Sequence, residues 1–428
     1  MGCTNCIKRC PTEAIRVRDG KAWIIDERCI DCGECILVCP YHAKTATTDP
    51  ISYINSFQYK IALPAPALYG QFKNLTNCNK VLYGLKRMGF DYVYEVARGA
   101  DYTTQLVKEL LDNPKLKRPL ISSACPAIVR LIQVRFPDLI DHIVKVESPM
   151  EIAAQLAKEE FCTKYNIEKE QVGVFFITPC AAKMTSIKSP IGSEASHVDG
   201  AISILDIFGL LSSQMKVPDN VAQYQNATSQ GIGWAIANGE SQSLGIDNYL
   251  AVDGIQNVIR ALEEIENNKL TDLDFFEGLC CAGGCVGGPL VFENGYVAKN
   301  RIRLLAKGVK NRALTAEEID KAKNNIEWKL KKNINEKSVM KLDQNIEVAI
   351  QKMEDMERIF SGLPGLDCGS CGSPSCRTLA EDIVRGNASE LDCIFKLRVK
   401  VKKLAEEMIE LSNKMPAGKE GENKKGEA

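Results

Sequence analysis

Val172-Gly173-Val174-Phe175-Phe176-Ile177-Thr178-Pro179-Cys180-Ala181-Ala182-Lys183 carries an unbroken apolar run into a proline, a cysteine and a helix-forming stretch. Such a run, without polar alternation, reads as a strand buried on both faces, the pattern of a parallel sheet. Outward from it lie further short apolar runs: Ile61-Ala62-Leu63, Tyr92-Val93-Tyr94-Glu95-Val96, Pro119-Leu120-Ile121-Ser122 and Val198-Asp199-Gly200-Ala201-Ile202. Helical periodicity separates them, clearest over residues 104–111, which Asp112-Asn113-Pro114 stops, and over 150–161. Strands alternating with helices predict βαβ units and an α/β fold. Ligands of such sheets collect at the carboxyl ends of the strands, where Cys125 and Cys180 stand.

Eighteen cysteines against three histidines fall almost entirely into three blocks. The first is Cys3-x2-Cys6-x3-Cys10-Pro11 followed by Cys29-x2-Cys32-x2-Cys35-x3-Cys39-Pro40. This is the thiolate run of two-cluster bacterial ferredoxins, in which the fourth cysteine of each run ligates the other run's cluster. One cluster is therefore assigned Cys29, Cys32, Cys35 and Cys10, the other Cys3, Cys6 and Cys39. The missing ligand of the second falls one residue upstream of Met1, which favours a chain begun slightly late over a non-cysteine ligand or a cluster one iron short. Zinc knuckles or disulfides fit the two Cys-Pro endings and the tight repeat less well.

Composition excludes several classes of partner. With 54 basic and 55 acidic side chains in 428 residues the net charge is -1, so no overall field recruits nucleic acid or an anionic membrane. No apolar stretch approaches the roughly 20 residues that span a bilayer. The chain starts inside a metal motif instead of a charged leader, so the expectation is a cytoplasmic protein. Thiols stay reduced there, and many cysteines then point to metal.

The length suggests roughly three domains. Residues 1–55 read as a two-cluster ferredoxin-like domain with Lys21-Ala22-Trp23-Ile24-Ile25 a short strand, and 56–310 as the main domain. Residues 311–360 read as a helical connector: 315–359 is rich in Lys, Glu and Asn, and Ile326, Leu330, Ile334, Val339 and Leu342 form an apolar stripe, which predicts two or three exposed helices. A four-cysteine module over 361–396 precedes a charged helix and tail over 397–428, with 415–428 expected to be disordered.

The central cysteines occupy three segments: Ile121-Ser122-Ser123-Ala124-Cys125-Pro126-Ala127, Ile177-Thr178-Pro179-Cys180-Ala181-Ala182-Lys183, and Glu277-Gly278-Leu279-Cys280-Cys281-Ala282-Gly283-Gly284-Cys285-Val286-Gly287-Gly288. Here the chain resembles the [FeFe]-hydrogenases, or iron-only hydrogenases, up to about residue 305. The resemblance implies a two-lobed domain of parallel sheets around a six-iron H-cluster. Its four-iron cubane would sit on Cys125, Cys180, Cys281 and Cys285, with Cys285 bridging to a two-iron unit that carries carbonyl, cyanide and a dithiolate. Lys183 matches the family's cyanide-facing lysine, and Ala65, Pro66 and Ala67 lie in a loop resembling one that offers backbone N–H to another cyanide. Thr178, Pro179, Leu279 and Gly284 complete the expected cofactor-facing set, the glycines permitting close approach to an inorganic group.

The departures from the family pattern are specific. Strongly catalytic members carry a second cysteine where this chain has Ala124, and a methyl group has no proton to relay. Ser186 replaces a relay glutamate, and its hydroxyl does not ionise near neutral pH. Leu279 and Thr178 stand where methionines are usual, which alters sulfur contacts near the irons. Keeping the ligands and Lys183 while losing the proton route resembles the sensory or regulatory subgroup and implies slow turnover. Cys280 is either an inert packed cysteine or a substitute thiol.

Cys368-x2-Cys371-x4-Cys376-x16-Cys393, rich in glycine, reads as a further four-iron site, with zinc the alternative. The segment resembles small iron–sulfur modules at the end of sensory hydrogenases. Cys78 and Cys162 stay unassigned, and His42, His142 and His197 match no catalytic or zinc spacing. The expected function is a slow, hydrogen-sensing hydrogenase that interconverts hydrogen with protons and electrons. Its partners would be hydrogen, protons, a redox or signalling protein and the H-cluster maturation proteins. Bulk catalysis with an unusual relay, and a non-catalytic iron–sulfur scaffold, are the competing readings.

Overall fold

The computed structural model describes residues 3–216, 223–309 and 312–414, so Met1 and the tail over 415–428 lie outside the described residues. Two compact units emerge. One comprises the described parts of Met1–Lys8, Ile15–Ile25 and Lys341–Ala428, the other Arg9–Ala14 and Asp26–Met340. Residues 1–55 are shared between the units, and the segment expected as a connector over 311–360 divides after Met340.

In the smaller unit, β1 (Ile15–Arg18) and β2 (Lys21–Ile24) form an antiparallel hairpin. The C-terminal element contributes the helices Ile346–Ser361, Cys376–Val384 and Ile394–Lys414 around a small core of Met356, Leu363, Leu379, Ala380 and the two cysteines Cys376 and Cys393. A buried ion pair joins hairpin to element. Arg16 donates to both carboxylate oxygens of Asp382, at 2.6 and 2.9 Å, although 366 residues separate them. Arg18 Nη2 and Ser373 Oγ add bonds to the same carboxylate at 3.3 and 2.9 Å, and Val17 N–H donates to Gly372 O at 2.8 Å. A Cβ on Gly372 would run into Val17 O, so only glycine admits this approach.

The larger unit holds two parallel sheets. β3 (Tyr59–Pro64), β4 (Tyr92–Val93), β6 (Val172–Thr178) and β7 (Gly200–Ser203) lie in the order β4-β3-β6-β7. β5 (Leu120–Ile121), β8 (Tyr249–Asp253) and β9 (Phe275–Leu279) lie in the order β5-β9-β8. Every pairing in both sheets is parallel, and helices flank them, as the βαβ reading predicts. All seven residues of β6 are buried, the reason its sequence tolerates no polar alternation.

Three local expectations are corrected. The strand over 92–96 stops at Val93, and the helix expected over 104–111 begins at Val96. The chain turns there because the buried Glu95 accepts hydrogen bonds from Tyr69 OH and from the N–H groups of Asn226 and Ala227, at 2.8, 2.7 and 3.0 Å. β8 was not expected, since its half-buried residues include Tyr249 and Asp253 at the sheet's edge. The stripe Ile326, Leu330 and Ile334 is not helical: only Ala316–Asn325, capped by a Thr315/Glu318 box, precedes it as a helix. Beyond Asn325 the chain runs over the unit, pairing Lys329 with Val146 and burying Ile326 and Ile334 in its cores.

Candidate metal centre

Three loops bring four cysteines to one cavity. β6 ends at Thr178, Pro179 follows, and Cys180 is the N-cap of the helix Ala181–Lys188. β5 leads through Ser122 to Cys125, the N-cap of the helix Pro126–Arg135. β9, paired with β5, delivers Cys280 and Cys281, and a tight turn Cys285–Gly287 follows. A Cβ on Gly288 would strike Pro179 O, so glycine there lets the third loop close onto the second. Gly283 N–H donates to Asp253 Oδ2 at 2.5 Å, which ties the same loop to β8.

Cys125, Cys180, Cys281 and Cys285 all line a cavity with about 960 Å³ of space, its mouth included. Burial pushes the Cys180 thiol up to about 12, and Cys281 and Cys125 reinforce the shift. Cys285 is pushed well up by burial and by Cys180, Cys125 and Cys281, although its side chain faces the open space. Cys125 is raised by burial and Cys281, against the N–H of Cys280 and the charge of Lys183. Thiols raised by burial and by neighbouring sulfurs, as Cys125, Cys180 and Cys285 are, suit a cationic polynuclear group, which takes up their charge as it displaces their protons. The donor set and the space therefore fit an iron–sulfur group. Among the described residues no three His, Cys, Asp or Glu side chains are drawn close enough to hold a single metal ion, and a cubane is held by sulfurs more widely spaced than that.

The other expected residues divide. Lys183, Ala124, Ala65, Pro66, Ala67, Pro179, Leu279 and Gly284 line the cavity. Ala65 N–H is held by Ile177 O at 3.2 Å, whereas among the described residues no main-chain acceptor takes the N–H of Ala67. Thr178 is corrected from a cofactor-facing position to a brace. It is fully buried, its hydroxyl donating to Cys180 O at 3.1 Å and accepting from Cys180 N–H at 3.0 Å. Ser186 faces a second, smaller cavity beyond Lys183, which it shares with Ser123, Glu147 and Ser193. There Glu147, hydrogen-bonded to Ser193, is pushed up by burial to about 7.

Sequence reasoning missed a buried carboxyl pair. Glu240 and Glu277 both line the main cavity, on the side of Ala124. Glu277 accepts from Asn238 N–H, Ser241 N–H and Ser241 Oγ, each at 2.8 Å, which suits a carboxylate. Among the described residues Glu240 is bonded by Ser122 Oγ alone, at 2.6 Å, and burial and Glu277 push it up to about 8, so it holds the proton of the pair. Ser122 Oγ also accepts from Ala124 N–H at 3.2 Å. A glutamate inside the apolar run of β9 was the available signal for Glu277; Glu240 had none.

Cys280 joins two cysteine sets. Its thiol, 3.9 Å from Cys32 O, donates its single proton toward Cys32, the largest influence lowering that thiol, and Cys281 and Cys32 together hold Cys280 well above the ordinary thiol value. Cys10, Cys29 and Cys32 sense one another's charge, and burial raises Cys29 to about 12. Arg130, buried and bonded to Ala182 O and Ser189 O, feels both Cys29 and Cys180. Cys10 and Cys39 accept N–H bonds from Ala14 and Ala43 at 3.2 and 3.4 Å, contacts that tune cluster thiolates. Cys3 and Cys6 belong to the smaller unit, Cys39 to the larger. In the C-terminal element Cys368 and Cys371 sense one another, and Cys376 and Cys393 share one core.

The family model for the iron only hydrogenase large subunit, C-terminal domain, matches residues 58–245 and 220–289. A 4Fe-4S dicluster domain matches 1–44 and an Fe-S cluster family 363–395. The NADP-reducing hydrogenase subunit HndD of Solidesulfovibrio fructosivorans is 23% identical over 334 residues, 62% of this chain and 56% of that protein. Iron hydrogenase 1 of Clostridium pasteurianum is 23% identical over 257 residues, 49% and 44% of the two chains. The cytosolic Fe-S cluster assembly factor NAR1 of Candida dubliniensis is 28% identical over 122 residues, 28% and 21%. The chain thus spans about half the length of the hydrogenases it matches. A solved apo [FeFe]-hydrogenase variant from Chlamydomonas reinhardtii superposes with a TM-score of 0.48 at 17% identity, over 65% of this chain and 92% of that one. With more than half of its residues matched by the family model, the chain belongs to the iron-only hydrogenase family.

Proposed function

We propose that this protein is a slow, hydrogen-sensing [FeFe]-hydrogenase whose cavity holds an H-cluster. One observation carries the reading: the four thiols and Lys183 surround one cavity, while the group beside the ligand Cys125 is the methyl of Ala124. When bound, the six-iron cofactor supplies the centre at which hydrogen is formed or split and through which electrons pass. The chain's own residues do the rest. Cys125, Cys180, Cys281 and Cys285 would hold the group, Cys285 also holding its two-iron part. Lys183 brings a positive charge to the cavity wall, where a cyanide is best stabilised in a dry site. Ala65, Ala67, Phe176 and Leu279 exclude water.

Protons reach this centre slowly because neither Ala124 nor Ser186 ionises, and losing a general acid costs roughly 10²–10⁴ in rate. The carboxyl of Glu240 is reached from the Ala124 backbone through Ser122 Oγ. Cys10, Cys29, Cys32 and Cys35, and Cys3, Cys6 and Cys39, would hold accessory clusters that supply electron transfer, with Cys280 beside Cys32. The site on Cys368, Cys371, Cys376 and Cys393 is the outlet to a redox or signalling protein. Maturation proteins would install the two-iron unit, in the cytoplasm. Among the described residues no helix is long and apolar enough to cross a membrane.

A second reading, a non-catalytic iron–sulfur scaffold, is favoured by the match to the NAR1 assembly factor. Infrared spectra of the chain loaded with a synthetic two-iron complex decide between them. The hydrogenase reading expects carbonyl and cyanide bands that differ under hydrogen and under argon. A chain that binds no two-iron unit is the scaffold, bands indifferent to hydrogen remove sensing, and evolution rates equal to those of fast enzymes remove slowness.

A further inference from the structure

The terminal helix Ile394–Lys414 leaves directly from Cys393 and has no buried residue among those described. Ile394, Leu397, Val401, Leu404, Met408 and Leu411 are 40, 45, 55, 45, 71 and 65% exposed. Their spacings alternate between three and four residues, which makes them the a and d positions of consecutive heptads. Position a carries Ile394, Val401 and Met408 and position d Leu397, Leu404 and Leu411; Val399 and Ile409 lie off this seam. A stripe this regular needs a partner of the same geometry, since a helix alone in water gains nothing from it.

Charge selects the partner and its direction. Lys396, Arg398, Lys400, Lys402 and Lys403 crowd the N-terminal half, and Glu406, Glu407 and Glu410 follow Leu404. Lys402, Lys403 and Lys414 pair within the helix with Glu406, Glu407 and Glu410, at 3.8, 4.0 and 2.6 Å, whereas the basic N-terminal half opposes the helix's own dipole, which favours acids at that end. A parallel copy would set the basic half against itself. An antiparallel copy sets basic against acidic at both ends and opposes the two dipoles. It also aligns every a with a d, placing Ile394 on the partner's Leu411, Leu397 on the partner's Met408 and Val401 on the partner's Leu404. Lys400 then lies beside the partner's Glu407 twice, once for each copy. We propose that this helix pairs antiparallel with the same helix of a second copy of the chain, making the protein a homodimer joined next to its C-terminal cysteine site.

The test is the mass of the iron-loaded full chain by light scattering or sedimentation at micromolar concentration. The unaltered chain is expected at twice the chain mass. Leu404→Lys should weaken the dimer by about tenfold or more by placing charge in the seam. Lys400→Glu and Glu407→Lys should each weaken it by about threefold to tenfold, through two like-charged pairs. Both substitutions in one chain should restore it. Iron content and helix content should be unchanged throughout, because the helix buries nothing of its own. A monomeric chain, a dimer indifferent to Leu404→Lys, or a double charge exchange that fails to rescue the single ones would each overturn the proposal.

Discussion

Replacing Asp382 with alanine should detach the N-terminal hairpin from the C-terminal cysteine element. Arg16 and Asp382 have side chains only 2% and 6% exposed, so neither bulk water nor salt screens the pair. The carboxylate accepts from Arg16 Nε and Nη2, Arg18 Nη2 and Ser373 Oγ. Removing one partner of a buried, hydrogen-bonded pair costs about 3–5 kcal/mol, because the remaining cation stays desolvated. The bond from Arg18, whose side chain is 25% exposed, adds little. Hydrogen exchange reads the loss directly: Val17 N–H, held by Gly372 O, and the β1–β2 ladder should exchange roughly 150- to 4,000-fold faster. A paired Arg16→Met and Asp382→Leu variant should recover most of the protection, since an apolar pair of similar volume replaces a buried ion pair at little cost. An acceleration below about fivefold in Asp382→Ala would show that Arg16 finds water or another acceptor, and that the pair does not hold the unit together.

Gly288→Ala should lower the iron held by the central cysteines while sparing the other sites, because its Cβ pushes the third loop off Pro179; iron counts with and without the two-iron complex check this. Glu240→Gln should abolish a carboxylic-acid infrared band that titrates near pH 8. Its pKa lies above the ordinary carboxyl value of 4.5, so the folded chain keeps a proton that the unfolded chain releases. The associated stability is present below that value and lost as pH rises toward about 8, and the substitution should flatten thermal midpoints across this window. Cys280→Ala removes a thiol hydrogen bond to Cys32 and should lower the reduction potential of that cluster by roughly 20–40 mV, the worth of about 0.5–1 kcal/mol in a one-electron couple. Redox titration followed by electron paramagnetic resonance checks it, and an unchanged potential removes Cys280 from the electron route.

The cysteines proposed to hold metal were legible from local pattern. Cysteine spacing over a few residues is a property of the chain, and β6 announced its burial by the lack of polar alternation. The same local reading misjudged 326–334, whose apolar spacing imitates a helix although those residues are placed by contact with distant cores. It also let the strand at Tyr92 run too far, because what ends it is Glu95 accepting bonds from residues 131 and 132 positions away.

By itself, then, the sequence determined the parallel sheets, and it supplied the proposed donor set with Ala124 and Ser186, neither of which ionises near neutral pH. The tertiary structure alone decided that Glu240 keeps a proton beside Glu277, that Cys280 spans two cysteine sets, and that Arg16 meets Asp382 across 366 residues. Burial and Coulomb interaction depend on distance in space, and no spacing along a chain encodes which remote side chains share a low-dielectric pocket.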